Sequence, residues 1–313
     1  MYGQFFILFG LILVGYYCNK KGYLPMETNK NVGNMVMRVT IPAMLITTIA
    51  GIEITDRVLK AFLFSAAGQA AMMVVFGFLM RQYGRKRGLD SRLLPMLDLT
   101  AGSLNTGFIG LPVTMIFFGQ AGIIYMSAGV LALNLYLWSY GVYLISDKKA
   151  TGAAAIGKSF LQGAINPNCI SILLGLLLAV THTARFVPTV VLGFLTKVGD
   201  LSTPLSLIYI GALAGGSGIV QLFKEKMALE ISVVKMIGMP ALAILAMLFI
   251  PADGLAKSVF LLSVCMPSAA PMMVGRYGYG DKMSSDIVLW TTVLSMATLP
   301  LSVLLAAKLY GAV

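Results

Sequence analysis

The residues best placed to do chemistry in this sequence are uncharged. Gly102-Ser103-Leu104-Asn105-Thr106-Gly107-Phe108-Ile109-Gly110-Leu111-Pro112 sets polar Ser, Asn and Thr among three glycines and a proline, in the middle of an apolar run. Cys265-Met266-Pro267-Ser268-Ala269-Ala270-Pro271 interrupts a second run with two prolines four residues apart. Glycine loosens a helix, and proline removes a donor and clashes one turn back, so both runs should break. A break inside lipid is costly unless the freed N–H and C=O groups are buried or face water. The gain is a half-helix N-terminus, whose free N–H donors and partial positive charge suit a carboxylate or similar anion. Asn105, Thr106, Gly107, Gly110, Pro112, Pro267, Ser268, Ala269 and Pro271 are therefore the candidate substrate contacts. Kinks that served packing alone would not need the polar pair Asn105–Thr106.

Charged side chains inside apolar runs form a second set of candidates, since an ionisable group in the membrane is a functional hypothesis by default. Asp98 stands about two turns before Asn105 and is the best candidate for coupling transport to a proton or a cation. A structural partnership with Arg38 or a lysine is the equal alternative. Arg38 and Asp200 are 162 residues apart, a spacing that recurs below. Lys197 and Asp200, three apart, can pair on one helix face, and Lys226 and Glu230, four apart at the cytoplasmic start of span 8, read as lying at the interface. Lys235 and Arg276 are expected to snorkel toward the cytoplasm. The single histidine, His182, rules out a paired-histidine zinc motif. Cys18, Cys169 and Cys265 form no CxxC pattern and read as small core residues. No metal or cofactor is expected.

The elements that must position these groups follow from composition. Of the 313 residues, 58% are hydrophobic and only 11% charged, against about 25% charged in a soluble domain. Continuous apolar runs of ~20 residues, enough to span a ~30 Å hydrocarbon core, recur along the chain. They do not alternate apolar with polar, which argues against a β-barrel. The reading is an all-α polytopic membrane protein with spans near 4–18, 32–50, 58–80, 93–118, 121–145, 166–181, 189–215, 227–250, 255–279 and 285–309. Residues 4–18 lack the basic leader of a signal peptide and read as a retained first span. The net charge of +11 is no sign of nucleic acid binding, since no basic domain lies outside the runs. Fourteen of the 23 basic residues fall on one set of alternate loops. The positive-inside rule then places those loops in the cytoplasm and both termini outside the cell membrane.

A linker at 146–165 divides the spans into a repeat at 1–145 and a second at 166–313, five spans each. An odd number per half requires the second half to insert upside down, a recurrent transporter architecture. Pro42 in span 2 and Pro204 in span 7 are 162 residues apart, and the same offset carries Asn105 to Pro267.

The segment Asn105–Pro112 resembles the signature of the auxin efflux carrier family, which includes plant PIN proteins and bacterial malate and malonate permease-like carriers. Span 9 through Gly275-Arg276-Tyr277-Gly278-Tyr279-Gly280-Asp281, span 10 with Ser295 and Leu299-Pro300-Leu301, and Val36–Leu45 with Pro42 resemble further parts of that family. The resemblance covers essentially the whole chain in order, and the absence of a long central loop favours a bacterial-type member. It implies the bile acid sodium symporter-like fold: a scaffold of spans 1, 2, 6 and 7, and a moving transport domain of spans 3–5 and 8–10. Broken helices 4 and 9 then cross at the substrate site. It also implies elevator-type alternating access and a homodimer through the scaffold. Asn105 falls on the family's crossover asparagine, and Pro112, Pro267 and Pro271 on its crossover prolines. Sodium-coupled relatives carry an acidic or amide ligand at the span 9 crossover, where this chain has Ser268, Ala269 and Ala270. Hard cations want oxygen ligands, so Gln69 in span 3 remains as the sodium-ligand candidate.

The expected function is a carrier of a small organic anion, with no enzymatic activity. The alternatives are a sodium-driven importer of the bile acid symporter type, a non-transporting sensor of the same fold, and an intramembrane protease using Asp98 and Asp200. The protease reading leaves the paired breaks unexplained.

Overall fold

The computed structural model describes residues 2–145, 161, 165–216, 225–248, 252–269 and 281–311. Every regular element among them is helical. α1 (Tyr2–Lys20) carries no charge before Lys20, and Gly22, at φ +77°, turns the chain away after its end. α2 (Met26–Ala50) widens into a π-turn at Val36–Thr40, where Ile41 N–H donates to Val36 O. Pro42, which has no N–H to give, follows at once. α3 (Asp56–Lys86) starts on Thr55, whose hydroxyl accepts from Val58 N at 3.3 Å, and ends on Arg85 and Lys86. Both ends suit the helix dipole.

The next run, Leu94–Leu144, is long enough to cross a membrane once or more. It is interrupted twice. α4 (Leu94–Gly102) stops at Ser103, which is extended at φ −68° and ψ 150°. Helix resumes at Thr106 and is broken again at Gly119 (φ 61°, ψ −159°), giving α5 (106–118) and α6 (120–145). The chain doubles back there: a Cβ on Gly110 would stand 2.7 Å from Met126 Sδ, whereas 16 residues of straight helix would separate them by about 24 Å. A positive φ is what glycine allows at low cost, and Gly119 makes this tight reversal.

α7 (Pro167–Val180) is capped by Asn166, whose side chain accepts from Asn168 N at 2.9 Å. α8 (Thr189–Asp200) and α9 (Ser202–Gly216) are separated by Leu201. α10 (Lys226–Met247) contains Pro240, α11 (Gly254–Val264) is capped by Asp253, and α12 (Asp281–Tyr310) contains Pro300. Seven helical runs are long and apolar enough to cross a membrane, and α7 and α11 are shorter apolar helices.

The helices pack mainly in two groups. α1 lies along α9, and α7 and α8 lie against α2. α3, α4, α5 and α6 pack with α10, α11 and α12. The α1–α9 contact is backbone to backbone, since Gly15 faces the Ile208 main chain and Gly211 faces the Ile12 main chain. No side chain fits there, which is how helices approach closely in a membrane. Apolar side chains such as Phe6, Leu13, Leu63, Phe78, Leu173 and Leu177 remain exposed, as a lipid-facing surface requires.

A candidate substrate site where two broken helices meet

The two interruptions foreseen within Gly102–Pro112 and Cys265–Pro271 touch each other, at Ser103–Asn105 and Cys265–Ala269. Asn105 N donates to Pro267 O at 2.8 Å. Pro271, four residues beyond Pro267, brings no N–H, so the Pro267 carbonyl could expect no ordinary helical partner from it. Ala269 N donates to Ser103 Oγ at 3.1 Å, and Ser268 N to Thr291 Oγ1 on α12 at 3.1 Å. The freed backbone groups thus satisfy one another across the break, as burial in the membrane demands.

Asn105 caps the segment that follows it, its Oδ1 accepting from Phe108 N at 3.2 Å. Thr106, Gly107, Gly110 and Pro112 are buried, as are Ser268 and Ala269. Thr106 Oγ1 has no hydrogen-bond partner among the described residues. Asn105 and Phe108 are partly exposed and form the accessible edge of the crossing. Across that edge stands the other helix group. The Phe108 ring stacks on Tyr209 of α9 with centroids 5.0 Å apart and planes at 21°. Tyr209 O accepts from Asn29 Nδ2 at 3.1 Å. Pro271 and Arg276 lie outside the described residues.

Lys235 of α10 was expected to snorkel toward the cytoplasm, and it does not. It is fully buried, and its Nζ donates to Ser103 O and, at 2.9 Å, to Ser268 Oγ. It therefore bridges both breaks. The signal was present in the sequence: Lys235 lies nine residues past Lys226, about 13 Å along the helix, too deep for a lysine stem to reach the interface.

Asp98 is fully buried beside the crossing, but neither Arg38 nor a lysine is its partner. Tyr140 OH donates to its Oδ2 at 3.0 Å, Tyr136 OH donates to its main-chain oxygen at 3.1 Å, and Arg81 Nη1 lies 3.9 Å from Oδ2. Asp98 Oδ1 has no partner among the described residues. Both tyrosines come from the π-turn Tyr136–Gly141, four residues apart on one face. Glu230 takes Arg87 at 2.7 Å and the Tyr83 hydroxyl, which tie α3 to α10.

The other charged candidates are not at the crossing. Arg38 is exposed on the π-turn of α2, with no ion pair among the described residues. Asp200 is exposed and makes no ion pair with Lys197. It lines a separate cavity of about 290 Å³ of mixed character, with Thr47, Thr48, Gln120 and Thr203 beside Met44 and Met115. Gln69 is fully buried, its Nε2 donating to Ser65 Oγ at 2.9 Å and its Oε1 left without a partner.

The family described as Membrane transport protein, the auxin efflux carrier family, matches residues 1–303. The chain belongs to this family. It is 25% identical over 296 residues to an uncharacterized transporter of Methanothermobacter thermautotrophicus, covering 93% of each chain. It is likewise 25% identical over 299 residues to an uncharacterized transporter of Methanocaldococcus jannaschii, covering 93% of this chain and 94% of the other. The protein is thus a multi-pass membrane transporter and not an enzyme. Within this auxin efflux carrier family member, the Asn105–Pro112 segment that carried the resemblance is the one that meets the second break.

Proposed function

We propose that this transporter carries a small organic anion across the cell membrane, bound at the crossing of the two broken helices. The observation that carries the reading is the Asn105 N to Pro267 O hydrogen bond, which joins the two breaks inside the apolar body of the protein. Around it, the part-exposed Asn105 offers its side-chain amide N–H groups, and the Lys235 amine stands behind the break on Ser103 O. A carboxylate matches both.

The wider architecture follows the same reading. An offset of 162 residues carries α4 onto α11, α3 onto α10, α1 onto α7 and Asn105 onto Pro267. That correspondence supports ten spans in two inverted repeats, and the basic loops put both termini outside. The two packing groups fit a scaffold of α1, α2, α7, α8 and α9 and a transport domain of the rest, which moves as an elevator within a homodimer. Asp98 is the proton-coupling candidate, because its carboxylate is buried with one oxygen free.

Sodium coupling is a second reading, favoured by Gln69 Oε1 and Thr106 Oγ1, both buried without partners among the described residues, on two side chains that both face Gly129. A sodium gradient that leaves uptake unchanged eliminates it. The main reading is tested by a thermal-shift screen of small carboxylates on purified protein. At least one carboxylate should stabilise the wild type and fail to stabilise Asn105→Ala. Equal stabilisation of both would remove Asn105 from the site, and no response to any carboxylate would count against an anion substrate.

A further inference from the structure

α4 and α11 are half-helices that end at Gly102 and Val264, and their C-terminal ends run into the same crossing. The last carbonyls of a helix have no intrahelical donor, and the summed peptide dipoles leave roughly half a negative charge there. Two such ends meet here. Between them stands Lys235 Nζ, donating to the Ser103 carbonyl from one end and to the Ser268 hydroxyl from the other. Lys235 is fully buried, and no carboxylate pairs with it among the described residues. The carboxylate of Asp98 is engaged by Tyr140 and faced by Arg81.

In transporters built on discontinuous helices, unwound carbonyls and half-helix C-terminal ends are where coupling cations are held. A hard cation would need those oxygens as ligands. In this chain one such carbonyl, Ser103 O, and the Ser268 hydroxyl at the second break are already taken by a nitrogen tethered to α10. We infer that the Lys235 ammonium is a built-in cation. It occupies the place a free coupling ion would fill, ties the two half-helices together, and is never released. The crossing is then complete without sodium, and coupled flux falls to the proton candidate Asp98. This deepens the carrier reading and rests on it only for the statement about flux.

The test needs no substrate, so it stands or falls separately from the carboxylate reading. Thermal unfolding of purified wild type and Lys235→Ala is followed in sodium chloride, methylammonium chloride or N-methylglucamine chloride at equal ionic strength. Wild type should unfold at the same temperature in all three. Lys235→Ala should unfold at a lower temperature in N-methylglucamine, and sodium or methylammonium should restore it saturably. At a hundred times its dissociation constant the small cation should raise the midpoint by about 4–8 °C. A sodium-specific rise in the wild type overturns the inference. So does a Lys235→Ala protein that responds alike to all three salts, or that cannot be recovered folded in any of them while Lys235→Arg can.

Discussion

Asp98 shows what a single residue can and cannot do here. Its carboxylate has one oxygen on Tyr140, near Arg81, and the other free. If this group couples transport to protons, Asp98→Asn should abolish the pH dependence of uptake in proteoliposomes while the protein still binds its substrate. Undiminished pH dependence in the variant would rule the coupling role out. Tyr140→Phe removes a hydrogen bond to a buried charged group and should cost about 1–3 kcal/mol, read as a lower unfolding midpoint. The sequence made Asp98 legible because an acid in an apolar run demands a reason. Its partners were not legible, since Tyr136 and Tyr140 reach it only through a π-turn that no periodicity marks. Lys235 was misread for the opposite reason: its type was noticed and its depth was not used.

Among the elements, the breaks were the most readable feature. Glycine and proline act locally, so their effect on α4, α5 and α11 could be stated before any tertiary contact was known. That the breaks would hydrogen-bond to each other could not be read from either segment alone. The α1–α9 contact is a tighter test of packing. A Cβ at Gly211 runs into the Ile12 main chain, so Gly211→Val should lower stability by about 1–3 kcal/mol. Gly193→Ala in α8, where a Cβ meets nothing within 4 Å, should leave the unfolding temperature unchanged or raised. Equal effects at the two sites would mean that α1 and α9 are not in backbone contact.

For the whole molecule, elevator-type transport requires one helix group to move against the other. Phe108 and Tyr209 stack across that boundary, at the edge of the crossing. Cysteines placed at 108 and 209, in a background without Cys18, Cys169 and Cys265, should react with a short bifunctional reagent. Once bridged, the protein should stop transporting and still bind its substrate. Full transport by the bridged protein would exclude relative motion at this boundary. The membrane-embedded, all-helical character was legible from composition, because 11% charge leaves too little polar surface for anything else. The substrate was not, because Asn105, Thr106 and Ser268 offer polarity without a pattern that selects one carboxylate over another.

The central claim is that an organic anion crosses the membrane bound beside Asn105. Counterflow measures this most directly: proteoliposomes preloaded with an unlabelled carboxylate that stabilises the protein should transiently accumulate the labelled compound. Wild type should show the overshoot, and Asn105→Ala should show it at least about tenfold weaker, as expected for loss of a hydrogen bond to a charged ligand. An overshoot of equal size in Asn105→Ala, or none in the wild type with any carboxylate that binds, would contradict the account.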